Sequence, residues 1–295
     1  MHTGYGSLGA LMAGAEAACR RVLESAAGLT DEACRQLSLL PGWTRGHVLT
    51  HLARNADGQA RLLEGARVGE IRDQYPGGDQ AREDAIERGA KRSSAEIVRD
   101  LTEAQAGLQQ TWRTLDEDAW RRPTQARAGV RPALASVWAR WRECEIHHVD
   151  LDLSYRPDDW PGPFVDALLP RVTAGLPRRL TARIPVLLVG SDGPAGLPAG
   201  AVTGLGTSHN GEAEPVTVTG TRANLLAWLL GRTAAASVRA ARGERPVPLP
   251  PLTPWALRPA SPRLLRPGRQ AVCSVPAPLP PHDPPRAVGS DNGAA

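Results

Sequence analysis

The chain has 295 residues, 41% hydrophobic and 22% charged, long enough to bury a core without disulfides as one large domain or two modest ones. No uninterrupted apolar run approaches the ~18 residues of a membrane helix. Residues 1–5 carry no basic region and 8–19 are broken by Gly and Glu, so a secretory signal is not expected either. The net charge of +4 sits in residues 241–295, where seven Arg face three acids. Residues 1–240 balance at 28 basic and 28 acidic groups, which leaves no basic face for nucleic acid. Lys91 is the only lysine, a bias that with abundant Ala, Gly and Pro points to a GC-rich genome. Cys19, Cys34, Cys144 and Cys273 show no CxxC spacing and suit reduced thiols in a cytosol, so the expected location is cytoplasmic.

The first 155 residues read as helices. The stretch 8–27 is Ala-rich, with Leu11, Ala15, Cys19 and Leu23 spaced by four, and it ends near Gly28. Thr44, after Pro41-Gly42-Trp43, can N-cap a helix through Val48, Leu52 and Ala56 toward Gly65. Beyond a loop at Tyr75-Pro76-Gly77-Gly78, one long helical pattern covers about 80–117, with Ile86, Ile97, Leu101, Leu108, Trp112 and Leu115 on its apolar side. A fourth helix spans about 134–151. Four helices with connections of modest length predict an antiparallel bundle over 1–157.

After Pro157 the texture changes. A short helix at 164–180, a β-branched run at 184–189, a strand at 215–219 and a Thr221-capped helix at 223–230 predict a small α+β domain over 158–255. Fourteen of the 27 prolines fall after residue 240, a composition that forms no helix or sheet interior. Trp255 is expected to pin the start of this stretch, and 256–295 reads as a Pro-rich disordered tail.

Histidine is scarce, and its placement is informative. His47 and His51 lie four apart on the second helix, and His147 and His148 are adjacent on the fourth, downstream of Glu143 and Glu145. Glu143 and His147 are i,i+4 neighbours whose side chains can converge. One histidine from a facing helix would complete a three-ligand set with an open fourth position, the pattern of catalytic zinc. Spacing alone leaves open whether His47 with His51 forms a competing pair and whether His148 replaces His147.

The segment Leu40-Pro-Gly-Trp-Thr-Arg-Gly-His-Val-Leu-Thr-His-Leu-Ala-Arg-Asn-Ala-Asp57 resembles the mycothiol-dependent maleylpyruvate isomerase family, whose members carry a DinB-like metal-binding four-helix bundle. Arg142-Glu-Cys-Glu-Ile-His-His-Val-Asp-Leu151 resembles the family's second signature, and Tyr75-Pro-Gly-Gly78 with Arg82 its intervening loop. Val218-Thr-Gly220 and Leu229-Leu-Gly-Arg232 resemble the end of its smaller C-terminal domain. The similarity covers about residues 8–255.

The resemblance implies zinc, or another divalent metal, on His51, Glu143 and His147, with His47 and His148 as supporting positions. It implies that Arg232 serves the substrate and gives Arg82 a place beside the thiol cofactor. The implied activity is cis-trans isomerisation of maleylpyruvate to fumarylpyruvate, in which the zinc-bound thiolate of mycothiol, the low-molecular-weight thiol of actinobacteria, adds reversibly to a conjugated double bond. The same device suits mycothiol S-transfer to electrophiles or in secondary metabolism, and a non-catalytic metal-binding bundle is a third reading. The expected partners are a small-molecule substrate and the thiol, with no nucleic acid and no membrane. The chain is expected to be a monomer or weak oligomer.

Overall fold

Six helices described in the computed structural model begin where a side-chain oxygen accepts a free amide of the first turn, the arrangement that satisfies otherwise orphaned donors. The structure describes residues 2–3, 6–127, 129–181, 184–192 and 214–253, all within one compact unit, Met1–Ser261. A short strand pair, β1 (His2–Thr3) and β2 (Gly6–Ser7), precedes α1 (Leu8–Ala26), whose cap is Ser7. Thr30 caps α2 (Asp31–Arg35), and Thr44 caps α3 (Arg45–Val68). Gly69, at φ 78°, closes α3 in the left-handed conformation that a side chain disfavours.

The pattern expected as one helix over 80–117 is two, α4 (Gly78–Gly89) and α5 (Ser94–Thr114). The break has a local cause: Ser93 and Glu96 form a reciprocal capping box that starts a new helix. Asp116 then caps α6 (Glu117–Arg121), and an antiparallel hairpin of β3 (Pro123–Ala126) and β4 (Gly129–Pro132) leads to α7 (Ala135–Asp150). The apolar spacing of the long helices did not disclose α2, α6 or this hairpin.

Helices α1, α3, α5 and α7 form the bundle. Gly46 of α3 lies against Ile97 of α5, and Arg54 pairs with Asp100 one turn on, so these two helices run parallel. Helices α1 and α7 are likewise parallel: Gly14 abuts Trp141, Arg21 pairs with Glu145 and Ser25 bonds His148. The two pairs oppose each other, since His51 faces His147 while Asn55 faces Arg140. The extra helix α4 carries the chain back so that α5 can run beside α3, a crossover that an uninterrupted helix could not supply.

One guanidinium ties all four helices. Arg140 on α7 is fully buried and donates to Gln105 Oε1 on α5 (3.0 Å), to Leu52 O (2.8 Å) and Asn55 Oδ1 (3.0 Å) on α3, and to Cys19 Sγ on α1 (3.6 Å). Arg140→Met is expected to destabilise the protein by about 3 kcal/mol or more, because several buried acceptors lose their donor together. Arg140→Lys should recover only part, its point charge being unable to reach every partner. Urea unfolding midpoints measure both.

The C-terminal region begins with α8 (Gly162–Ala174) and α9 (Leu176–Arg179), where a single helix over 164–180 is expected. Their boundary falls at Gly175, followed two residues later by Pro177. The sheet has four strands in the order β5 (Val186–Gly190), β6 (Val216–Gly220), β7 (Arg239–Arg242) and β8 (Arg245–Pro246). Strands β5 and β6 pair in parallel and the others antiparallel. Thr221 caps α10 (Arg222–Leu229), which packs against α8 and the sheet.

Beyond residue 240 the chain still pairs. Leu252 bridges to Leu180, and the Thr253 amide donates to Arg179 O. Pro246 sits on the edge strand, where a missing N–H costs no ladder bond. Trp255 and the expected tail at 256–295 lie outside the described residues. Among the described residues no helix is long and apolar enough to cross a membrane.

Candidate metal centre

Two opposed helices present the expected ligands. His51 projects from the second turn of α3, while Glu143 and His147 project from α7 one turn apart. Arg45, at the start of α3, donates through Nε to Leu151 O (2.8 Å) and through Nη2 to Asp152 O (3.0 Å), so it caps α7 and holds the two helices in register. His51 Nε2 lies 2.9 Å from Glu143 Oε2 and 3.2 Å from His147 Nε2, and the third edge, His147 Nε2 to Glu143 Oε2, is 3.4 Å. Ligands about 2.0–2.2 Å from a tetrahedral ion stand about 3.3–3.6 Å apart. The triangle is therefore close to the size that such an ion requires. Two imidazoles and a carboxylate suit zinc.

The electrostatics match. Burial pushes His51 down to about 4, against the opposing pull of Glu143, so its ring is neutral at pH 7. Burial works to raise the Glu143 pKa, but hydrogen bonds with His147 and His51 hold it well below the ordinary value. Burial also disfavours charge on His147, yet Asp150 and Glu143 outweigh it and raise its pKa.

His147 is held from behind. Asp150 Oδ2 accepts from His147 Nδ1 at 2.8 Å, which keeps the proton on Nδ1 and leaves the Nε2 lone pair facing Glu143 and His51. Arg82 Nη2 on α4 lies 2.9 Å from His51 Nδ1, a contact in which Nδ1 accepts and the ring proton sits on Nε2, so ligation through Nε2 would move that proton to Nδ1 and open the contact. The Trp43 ring meets the His51 ring edge-on, centroids 5.6 Å apart.

Arg232 forks onto Asp150, with Nε to Oδ1 at 3.0 Å and Nη2 to Oδ2 at 2.7 Å, and its Nη1 donates to Leu230 O at 2.9 Å. Of the residues expected here, His51, Glu143 and His147 converge. Arg82 touches the cluster directly, and Arg232 reaches it through Asp150.

His47 and His148 are employed elsewhere. His47 Nδ1 accepts from the Thr44 N–H (3.2 Å) within the cap of α3, and its ring stacks on Trp43. His148 stacks on Tyr155, centroids 3.8 Å apart, and its Nε2 lies 2.8 Å from Ser25 Oγ. Among the described residues, His51, Glu143 and His147 form the one group of three or more His, Cys, Asp or Glu gathered closely enough to hold a metal ion. Asp150 was not singled out in the sequence, although its i,i+3 spacing from His147 on one helix was available as a signal.

Residues 15–152 match the family described as mycothiol maleylpyruvate isomerase N-terminal domain. The chain is similar to the crystal structure of the mycothiol-dependent maleylpyruvate isomerase, with 25% identity and a TM-score of 0.69 over 85% of this chain and 99% of that one. A histidine-to-alanine mutant of that isomerase is similar at 24% identity with the same TM-score and coverage. No curated protein matches. The bundle that carries the His–Glu–His cluster is thus a mycothiol maleylpyruvate isomerase N-terminal domain, and the chain resembles those isomerases over most of its length.

Proposed function

We propose that the chain is a mycothiol-dependent isomerase of the maleylpyruvate type, with a divalent ion, zinc by donor chemistry, held by His51, Glu143 and His147. The observation that carries this reading is the three-ligand cluster itself. Two imidazole nitrogens and one carboxylate oxygen lie within 4.8 Å of one another, and no fourth protein ligand joins them among the described residues. Three protein ligands with one position open is the catalytic rather than the structural pattern of zinc. When bound, such an ion lowers the pKa of a coordinated thiol and so supplies a nucleophile at neutral pH, able to add to a conjugated double bond and to leave after rotation.

The protein's own groups prepare that position. Asp150 fixes the His147 proton on Nδ1, and Arg232 neutralises the buried Asp150 carboxylate. Burial keeps the His51 ring neutral and available as a ligand. Trp43 and Arg82 flank His51.

The deciding assay follows loss of maleylpyruvate by zinc-loaded protein with and without mycothiol. Turnover that requires both the thiol and the ion is expected. A fully loaded protein that leaves maleylpyruvate unchanged with mycothiol present would sink the isomerase reading. Consumption of mycothiol in step with an electrophile would point to S-transfer instead.

A further inference from the structure

Buried guanidinium groups in this protein are generally committed. Arg140 is spent on four helices and Arg232 on Asp150. Arg82 differs. It is 6% exposed, its hydrogen-bond partners are the neutral His51 and Tyr75, and its buried Nε has none. The nearby carboxylates are occupied: Asp79 pairs with Arg127 (2.8 Å), Asp57 with Arg54 (3.1 Å), and Glu143 bonds the two histidines. A guanidinium keeps its charge in a protein, and a buried charge lacking an opposite partner is costly unless something supplies one.

Arg82 lines a cavity of about 300 Å³ together with Arg54, Arg61, Gln74 and Tyr75. Three arginines face one lining carboxylate there, that of Asp57. Arg82 links this cavity to the cluster: it lines the cavity, and its Nη2 lies 2.9 Å from His51 Nδ1. Its volume suits a small organic acid of a few carbon atoms.

We propose that this cavity binds the carboxylate end of the substrate, and that the Arg82 guanidinium is its anchor. The identity of the acid rests on the isomerase reading above; its negative charge rests on the cavity alone. Arg82 would then give a carboxylate two parallel donors, a geometry that an ammonium cannot reproduce. Specificity for acidic over uncharged unsaturated substrates follows from that pairing, because an uncharged analogue leaves the buried cation unpartnered.

Calorimetric titration of the zinc-loaded protein with fumarate, without mycothiol, tests this. Wild-type protein should bind fumarate, and the uncharged fumaramide should bind at least tenfold more weakly. Arg82→Gln should weaken fumarate about tenfold or more, and Arg82→Lys should weaken it less, with zinc content and melting profile checked for each.

Fumarate binding unchanged by Arg82→Gln would mean that the acid sits on the metal or elsewhere, and the proposal falls. Equal affinity for fumaramide overturns it as well. Loss of mycothiol affinity with fumarate affinity intact would return Arg82 to the thiol and overturn it too. If Arg82→Gln does not fold, the Arg82→Lys titration and the fumaramide comparison decide alone. The titration involves no thiol and no turnover. Absence of isomerase activity would therefore sink the functional reading while leaving the anchor standing, and an Arg82-independent affinity would do the reverse.

Discussion

Protein carrying His51→Ala, Glu143→Ala or His147→Ala is expected to leave purification with almost no divalent ion, where the wild type holds about one per chain. Each substitution removes one of three protein ligands, and two remaining donors form no closed set. His148→Ala is the control. Its ring stacks on Tyr155 and bonds Ser25, away from the cluster, so the metal should stay. Elemental analysis of dialysed protein reads the result directly. Full metal retention in any of the three ligand variants would remove that residue from the set.

Acid should release the ion as well, and the sign follows from the two histidines. A ligand must be unprotonated, so a proton competes with the metal wherever the ring can take one. His51, pushed down to about 4 by burial, stays neutral until strongly acid pH. The His147 pKa is raised by Asp150 and Glu143, so competition begins there first as pH falls. Affinity should decline steadily on acidification below that raised value and be flat above it. A metal titration repeated across the pH range would stay flat down to strongly acid pH, where His51 takes its proton, if His147 is not a ligand.

Much of the architecture was legible in short-range signals. Thr44 and Thr221 announced helix starts because an N-cap depends on one residue and the turn after it. The ligand pair on α7 could be read because i,i+4 geometry is fixed by the helix itself. Apolar period alone hid the interruption at Ser93: Ile86 and Ile97 both face the bundle, although they belong to helices separated by a turn. The choice of His51 over His47 needed the resemblance. In the structure it follows from the cap at Thr44, which engages His47, and from the opposed path of α7. Long-range pairings such as Arg232 with Asp150, 82 residues apart in sequence, leave no local trace.

That last pairing carries the largest expected loss of stability. Arg232 and Asp150 are 5% and 0% exposed, so neither charge has water to fall back on. Arg232→Ala strands a buried carboxylate and is expected to cost about 3–5 kcal/mol of unfolding free energy. It should also weaken metal binding by about 10–100-fold, because Asp150 no longer holds the His147 ring and its proton in place. Arg232→Lys should restore charge without the fork and recover part of each loss. Asp150→Asn combined with Arg232→Gln separates the causes: with no stranded charge, the double variant should unfold later than Arg232→Gln alone. Its metal affinity should remain low, since a neutral amide is a weaker partner for the His147 N–H. A residue that only held substrate would lower turnover and leave both metal affinity and stability at wild-type values. Chemical denaturation and metal titration on the same protein samples therefore distinguish a strut behind His147 from a substrate clamp.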